Sequence, residues 1–286
     1  MTASPTTAPA PADADALEAL ASMLARRRAL VLTGAGCSTE SGIPDYRDAA
    51  GSWKRAQPIN FQTFVGSAAA RRRYWARSLV GWRRMRGARP NHAHRILAQL
   101  EARGRVDWLV TQNVDGLHQR AGSRRVTDLH GRLDRVECLG CRRTLARAAF
   151  QSSLYRLNPG WDELCAEVAP DGDADLDGID FSRFQVPACG HCRGILKPGV
   201  VFFGESVPRE RVAAVMDRLY DAQALLVVGS SLMVWSGYRF VRAARERGLP
   251  VAAINLGRTR ADGELAIKVS APCGDALAQL YRALEG

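Results

Sequence analysis

The sequence predicts an α/β fold: a doubly wound parallel sheet of the Rossmann-like kind, with a small module inserted between its strands. Apolar runs typical of buried parallel strands alternate with amphipathic helical stretches. The runs begin at Ala29, Trp108, Ala224 and Val251. Each run ends in a small or polar loop, and the carboxyl ends of parallel strands line one crevice, where ligands bind. The inserted module is indicated by two Cys-x-x-Cys pairs between the second and third runs, Cys138/Cys141 and Cys189/Cys192.

Length and charge limit the domain count and the class of partner. The 286 residues suffice for one large domain and a smaller one. We expect a disordered tail at 1–16, a Rossmann-like domain at 17–131 and 195–286 with a helical and lid insertion at about 48–90, and a zinc-binding module with a long insert at 132–194. The net charge of +11 rests almost entirely on arginine. It fits solvated arginine-rich faces or a polyanion partner, and it favours an anionic cofactor.

The amino-terminal residues give an expectation for location. The stretch 1–16 has no basic start, no apolar segment and no arginine, which argues against a secretory signal or a mitochondrial transit peptide. No apolar run is long enough to span a bilayer. We therefore expect a cytoplasmic protein without membrane contact, and we favour a monomer.

Apolar residues at helical spacing predict one helix before the first strand and two helices between the first and second strands. The first covers Asp13–Arg28, with Leu17, Leu20 and Leu24 on one face. The second covers Arg71–Arg86, and its apolar face is formed by Trp75, Leu79, Trp82 and Met85. The third covers Asn91–Arg103 and ends before Gly104. The mixture of aromatic residues and arginine in the second helix favours a core-facing stripe over a nucleic-acid stacking platform, so nucleic acid is not an expected partner.

The loop after the first strand has features of a diphosphate-binding turn. Gly34 and Gly36 let the backbone turn tightly and approach a ligand. Ser38, Thr39 and Ser41 offer hydroxyls and a predicted helix N-terminus, which attracts anions. Thr39 stands where the usual dinucleotide fingerprint has its third glycine, which argues against a hydride-transferring dehydrogenase. On its own, Gly34-Ala-Gly36 fits an ordinary strand-to-helix turn better than a cofactor site.

The paired cysteines predict one structural zinc ion, held in a closed tetrahedral set by Cys138, Cys141, Cys189 and Cys192. Seven cysteines without a signal peptide favour metal over disulfides. The stretch between the pairs is longer than the ~15–20 residues of a common zinc ribbon, and two independent redox pairs are the alternative. Within this stretch, Asp173, Asp175 and Asp177 mimic the start of a calcium loop. Its twelfth position is Phe184 rather than glutamate, so we expect a solvated acidic loop.

Longer strings of the sequence resemble a known family. The stretch Gly34–Arg47, read as GAGCSTESGIPDYR, resembles the NAD loop of the sirtuins, the NAD-dependent protein-lysine deacylases. The resemblance continues in order through Thr111–Asp115, Leu129–Gly131, Lys197–Glu205, Gly229–Ser231 and Asn255–Gly257. Three further strings resemble the class II branch, which is associated with ADP-ribosyl transfer as well as deacylation: Tyr74–Arg77, Ala169–Asp173 and Ser236–Phe240.

The resemblance implies NAD as cofactor, acylated-lysine proteins as substrates, and a role for each motif. His130 is then the base that activates a ribose hydroxyl, and Asn113 acts beside it. His94 and His118 are expected to be structural. The residues that would bind the cofactor are Gly34, Ala35, Gly36, Ser38, Ile43, Pro44, Asp45, Tyr46, Arg47, Gln112, Asn113, Asp115, Gly229, Ser230, Ser231, Asn255, Leu256, Gly257 and Cys273. The substrate peptide would lie between Leu232–Ser236 and Val201, Phe202, Phe203, Gly204 and Glu205.

The acyl group and the reaction are open at this point. Tyr74 and Arg77 are three residues apart and can share a helix face. The same spacing occurs in sirtuins that remove acidic acyl groups, so a pocket for a carboxylated acyl chain is one hypothesis and a plain amphipathic helix is the other. The expected function is NAD-dependent protein-lysine deacylation with release of nicotinamide and an O-acyl-ADP-ribose. The alternatives are mono-ADP-ribosyl transfer to protein, and a zinc-ribbon nucleic-acid-binding module without catalysis.

Overall fold

A computed structural model of the protein describes residues 11–54, 58–164, 174, 176 and 178–285. The described strands are β1 (Ala29–Thr33), β2 (Val106–Thr111), β3 (Val126–Asp128), β4 (Gly131–Cys138), β5 (Thr144–Ala146), β6 (Leu196–Val200), β7 (Ala224–Val228), β8 (Val251–Ile254) and β9 (Ile267–Val269). The described α-helices are α1 (Pro11–Arg26), α2 (Phe61–Gly66), α3 (Ala68–Gly87), α4 (His92–Ala102), α5 (Leu117–Arg120), α6 (Arg147–Leu157), α7 (Arg209–Asp221), α8 (Trp235–Glu246) and α9 (Cys273–Glu285).

The larger sheet is parallel and has the strand order β3-β2-β1-β7-β8-β9. This is the order of a doubly wound Rossmann-like fold. The strand order reverses between β1 and β7, which are neighbours at the centre of the sheet. The predicted fold class is confirmed. The predicted strands form its interior, whereas β3 and β9 at the edges were not predicted, because three-residue strands carry no detectable periodicity.

Helices cover both faces of this sheet. Val31 packs in a cluster with residues of α1, α4 and α9. Its neighbours Leu30 and Leu32 point the other way, into a cluster with residues of α7 and α8. This alternation is the two-residue period of a strand buried on both sides. None of the helices in the described ranges combines the length and apolarity that crossing a bilayer requires.

The smaller sheet is antiparallel, with the order β5-β4-β6, and it lies between β3 and β7 in the chain. The predicted insertion of a small module is therefore confirmed. Its core includes the apolar face of α3, as predicted for that helix: Trp75 is fully buried, contacts Phe150, and donates through Nε1 to Leu196 O at 3.2 Å. The domain limits expected from the sequence stay predictions.

Two expectations about irregular segments need correction. Helix α1 begins at Pro11, so residues 11–16 do not belong to a disordered tail. Asp13 accepts a hydrogen bond from the Ser270 backbone, and Ala16 packs against the core, which explains why the helix extends this far.

Most of the predicted acidic loop lies outside the described residues, and so does Cys165. Ala174 and Leu176 are described, and both are buried in the core of the small module, so this stretch is not wholly solvated.

Candidate active site

A cavity of about 850 Å³ opens at the carboxyl ends of β1, β2, β7 and β8. This volume is within the range of about 300–1,000 Å³ for small-molecule sites. All the cofactor residues named from the sequence line this cavity. Most belong to the loops after these four strands, whereas Cys273 begins α9 and His130 lies between β3 and β4. The predicted substrate residues Val201–Glu205 and Tyr74 also line it. Arg77 is not among the lining residues, so the structure does not bring Tyr74 and Arg77 together at the cavity wall.

The loops after β1 and β7 touch backbone to backbone, and this contact explains their glycines. Gly36 donates to Gly229 O at 2.9 Å. A Cβ on Gly34 would lie 2.7 Å from the Ser230 Cβ. Gly229 has a φ of +62°, and a Cβ there would lie 2.4 Å from the Cys37 nitrogen. Side chains at these positions would force the two loops apart at the point where the strand order reverses.

The predicted helix N-terminus at Ser38–Ser41 is not formed. The chain makes two short 3₁₀ turns instead, Ala35–Cys37 and Thr39–Ser41. Gly42 ends the second turn in the left-handed conformation, with a φ of +80°. Pro44 follows two residues later and has no N–H with which to continue a helix.

A buried polar network joins the loops after β1 and β2. Ser38 is 1 % exposed, and its hydroxyl donates to Asp115 Oδ2 at 2.8 Å. The Asn113 side chain donates to Ser38 Oγ and to Gly34 O, both at 3.0 Å. Asp115 Oδ1 accepts from the Leu117 backbone at 2.8 Å. Burial raises the pKa of Asp115, while the hydrogen bonds from Leu117 and Ser38 oppose that rise.

Two buried histidines, His94 and His118, lie next to this network, and the structural role expected for them stays a prediction. His94 forms a capping box with Asn91 at the start of α4, and its Nε2 lies 3.5 Å from Ser38 Oγ. His118 Nε2 is 2.9 Å from the hydroxyl of Thr33, and the two imidazole rings are 4.7 Å apart. Burial lowers the pKa of His94 to about 4 and the pKa of His118 well below its usual value. Both rings are therefore neutral near pH 7.

His130 is fixed through both ring nitrogens. Its Nδ1 donates to Gln112 O at 2.9 Å, and its Nε2 is 2.8 Å from Ser236 Oγ at the start of α8. Because a carbonyl can only accept, Nδ1 carries the proton in the neutral ring, and Nε2 holds a lone pair directed toward Ser236. Burial lowers the pKa of His130 to about 4. The imidazole is thus an available proton acceptor near neutral pH.

The wall formed by residues 201–205 is held by a buried ion pair. Lys197 is 3 % exposed, and its ammonium is 2.9 Å from Glu205 Oε2. The same carboxylate oxygen accepts from the Phe202 backbone at 2.9 Å. The Val201 backbone donates to His130 O at 2.8 Å, which joins this wall to the histidine. Tyr74 packs edge-to-face on Phe202.

Residues 45–54 cover part of the cavity through contacts among themselves. Lys54 forms an ion pair with Asp45. The Arg47 guanidinium donates to Gly51 O at 2.7 Å and lies 4.2 Å from the centroid of the Trp53 ring. Residues 55–57 of the predicted lid lie outside the described residues.

The four predicted zinc ligands come together in the small module, where β4 ends and the chain approaches β6. The Cys138 and Cys192 sulfurs are 3.4 Å apart, and those of Cys141 and Cys189 are 3.7 Å apart. These separations exceed a disulfide bond of about 2.05 Å. They agree with the spacing of about 3.8 Å around a tetrahedral ion with Zn–S bonds of about 2.3 Å. The cluster is consistent with one structural zinc.

The two cysteine pairs form matching turns. The Arg142 backbone donates back to Cys138 O at 3.0 Å, and the Arg193 backbone donates to Cys189 O at 2.9 Å. Both arginines have a positive φ, 62° and 61°. Backbone N–H groups of Cys192 and His191 lower the pKa of Cys189. Metal binding requires the thiolate form of each cysteine.

Sequence reasoning missed three features of the cavity wall. Glu40 accepts from the Gly274 backbone at 3.1 Å and ties the first loop to α9. Ser236 was expected only to flank a peptide, yet it bonds His130. Arg239 lines the cavity one turn further along α8. The sequence offered a signal only for Arg239, because a residue three positions after Ser236 on a helix shares its face.

The chain is similar in sequence and in structure to known proteins. The model of the Sir2 family matches residues 34–236. The chain is 63% identical over 254 residues to the NAD-dependent protein deacetylase 2 of Bradyrhizobium diazoefficiens, covering 89% of this chain and 93% of the relative. It is 49% identical over 254 residues to the bovine mitochondrial NAD-dependent protein lipoamidase sirtuin-4, covering 88% and 81%. A solved structure described as "Sir2-p53 peptide-NAD+" aligns with a TM-score of 0.75 at 27% identity, over 93% of this chain and 97% of that chain.

Proposed function

The chain belongs to the Sir2 family and is an NAD-dependent protein deacetylase, and we propose that the cavity at the strand ends is where acyl-lysine and NAD react. We also assign the chain to the class II branch. The 49% identity to sirtuin-4, a class II member, supports this assignment. The strings Tyr74–Arg77 and Ser236–Phe240 support it as well.

The observation that carries the proposal is the neutral, doubly fixed imidazole of His130 in the cavity wall. NAD, when bound, supplies the ADP-ribosyl group that accepts the acyl group as nicotinamide leaves. His130 Nε2 then takes a proton from a ribose hydroxyl, and Gln112 O holds the ring in the tautomer that leaves Nε2 able to accept. In the structure, the Ser236 hydroxyl bonds His130 Nε2, and the ribose hydroxyl would take its place there.

The polar network provides the cofactor side of the cavity. Ser38 accepts from the Asn113 side chain and is itself held by Asp115. Asn113 and Gln112, both in the cavity wall, would hold the nicotinamide ribose. The loops at Gly34 and Gly229 would approach the diphosphate with their backbones. Asn255, Leu256 and Cys273 line the cavity and would hold the adenosine end.

The substrates we propose are acetylated proteins, since a relative of known structure is described in complex with the p53 peptide. The peptide lies between Val201–Glu205 and Leu232–Ser236. Main-chain pairing along these segments gives affinity with little sequence preference. The idea that Tyr74 and Arg77 jointly bind an acidic acyl chain loses support, because only Tyr74 lines the cavity. A cytoplasmic location and a monomeric state stay predictions.

The test is a panel of acetyl-, glutaryl- and lipoyl-lysine peptides with NAD, followed by nicotinamide release and by mass analysis of both products. We expect an O-acyl-ADP-ribose and a deacylated peptide. His130→Ala should lower turnover roughly 10²–10⁴-fold, the usual contribution of a general base, while the melting temperature is kept. His92→Ala, an exposed histidine on α4, is the matched control.

Two results would contradict the proposal. ADP-ribose found on protein as the main product would favour the transferase alternative. Turnover by His130→Ala at the wild-type rate would remove His130 from the reaction.

A further inference from the structure

Arg239 is a cation in the cavity wall for which the described residues provide no partner. It is half-buried on α8 and lines the cavity. Its Nε is buried and has no hydrogen-bond partner in the part of the chain that the structure describes. Buried donors without a partner are rare in native proteins, and each one calls for an explanation.

The other buried or half-buried charges of the cavity already have partners. Asp45 pairs with Lys54, and Glu205 pairs with Lys197. Asp115 accepts from Ser38 and Leu117. Arg239 therefore differs from its neighbours in having an unused binding capacity that faces the cavity.

The place of Arg239 indicates which part of a substrate it can reach. It lies one helical turn after Ser236, whose hydroxyl bonds His130. The charges of Arg239 and Arg211 both act on the His130 ring. Arg209, an exposed residue at the start of α7, also lines the cavity. This end of the site is thus positively charged, beside the segment that we propose flanks the peptide.

We propose that Arg239 binds a carboxylate of the substrate peptide, an Asp or Glu side chain close in sequence to the acyl-lysine, with Arg209 adding positive charge at the rim. The guanidinium fork matches a carboxylate in charge and in geometry. The inference rests on the proposed function, because it requires the peptide to run past residues 232–236. It adds a sequence preference that main-chain pairing alone would not provide.

The same chemistry could come from a carboxylate on the acyl chain, but the structure favours the peptide. Tyr74, the residue that the sequence hypothesis assigns to the acyl group, packs against Phe64 and Phe202 on elements other than α8. Arg239 lies with the helix that follows the peptide-flanking segment.

The test uses acetyl-lysine peptides that carry one Glu within three residues of the lysine, each matched with a Gln peptide. In the wild type, we expect the best Glu peptide to have a KM roughly two- to fivefold below that of its Gln partner, with kcat nearly unchanged. This is the upper part of the range for a partly exposed ion pair. Added salt should reduce this ratio. The Gln peptide serves as the internal reference for every variant.

Arg239→Gln should bring the Glu/Gln ratio close to one, and Arg239→Lys should keep part of the preference. Arg242→Gln removes the same charge one turn further along α8, outside the cavity wall, and should keep the wild-type ratio. The proposal is wrong if the wild type makes no Glu/Gln distinction at any position, or if Arg239→Gln retains it.

A second arm compares glutaryl-lysine with acetyl-lysine in a neutral peptide. If Arg239→Gln impairs only glutaryl turnover and leaves the Glu/Gln ratio unchanged, the carboxylate belongs to the acyl chain and the proposal falls. If no peptide releases nicotinamide, the proposed function itself fails, which is a different result from turnover without a preference.

Discussion

The polar network under the cavity and the four-cysteine cluster are both built from turns at strand ends, yet they are held together in different ways. In the network, each side chain is bonded to another protein group: Ser38 to Asp115, Asn113 to Ser38, and His118 to Thr33. In the cluster, the sulfurs face one another at 3.4 and 3.7 Å, where they hold only weak contacts.

The difference follows from the two sheets. The network lies at the ends of β1 and β2, inside a sheet covered by helices on both faces, so the backbone positions its members before any ligand binds. The small sheet has three strands, and β5 contains only three residues. The sulfurs of the cluster make no strong bonds to one another, so an ion bound by four thiolates would add the stability that this end of the small sheet lacks. We infer that the two regions differ in what their folding requires.

Removal of the metal should have the largest effect. Structural zinc contributes about 10–16 kcal/mol of binding free energy in small domains. A strong chelator, or Cys189→Ser, should therefore unfold the module while the parallel sheet persists. We expect a loss of nicotinamide release of more than about 100-fold, with proteolytic cleavage confined to residues 131–200.

His191→Gln is the control for that experiment, since His191 is exposed within the second cysteine pair and lies outside the four-sulfur group. It should keep both zinc and activity. Added zinc, but not added magnesium, should restore the chelated protein. A metal-free protein that keeps its melting temperature and turnover would contradict the distinction between the two regions.

The second prediction concerns the imidazoles that support the polar network. Burial lowers the pKa of His94 to about 4, so between pH 6.5 and 4 the unfolded chain binds more protons than the folded one. Folding stability should then fall as pH falls through this range, by about 3 kcal/mol from His94 when complete. His118 acts in the same direction, while the raised pKa of Asp115 opposes it.

His94→Gln should flatten this dependence, by on the order of 2 kcal/mol between pH 7 and pH 5. The measurement is the free energy of unfolding from urea titrations with zinc present in excess. His92→Gln, on the same helix but exposed, should keep the wild-type slope. Equal slopes for His94→Gln and wild type would show that the buried ring does not resist protonation.

Much of this site could be predicted from the sequence, because its members follow apolar runs that are visible locally. Gly34–Arg47 and Gln112–Asp115 follow such runs, and the parallel sheet then brings their loops together. The placement of Arg77 could not be predicted in this way. Helical spacing sets the face of a residue but not what covers it, and here the Ala174 backbone donates to Arg77 O at 3.0 Å. The lack of a partner for Arg239 is likewise a tertiary property.

The third prediction tests whether the network is needed for turnover. Ser38→Ala removes the donor to Asp115 and an acceptor for Asn113 at a position that is 1 % exposed. An unsatisfied buried group costs about 1–3 kcal/mol. We expect a roughly 10–100-fold lower kcat/KM for NAD, with zinc content unchanged. Ser41→Ala, in the same loop, removes a hydroxyl that has no hydrogen-bond partner within the described residues, and should have little effect.

The smallest expected effect concerns the packing of the thiols. A Cβ on Gly194 would lie 3.0 Å from the Cys138 sulfur and 3.1 Å from the Cys192 sulfur. Gly194→Ala should therefore push the ligands outward, at a cost of about 1–3 kcal/mol for overpacking, and lower zinc affinity roughly fivefold or more. Gly190→Ala is the control, because nothing lies within 4 Å of its added Cβ. The measurement is competition for zinc with a chromophoric chelator. If both variants retain zinc equally, the cluster adapts to an added methyl group. If only Gly194→Ala loses zinc and its affinity for NAD is unchanged, the zinc site of the small module is independent of the parallel sheet.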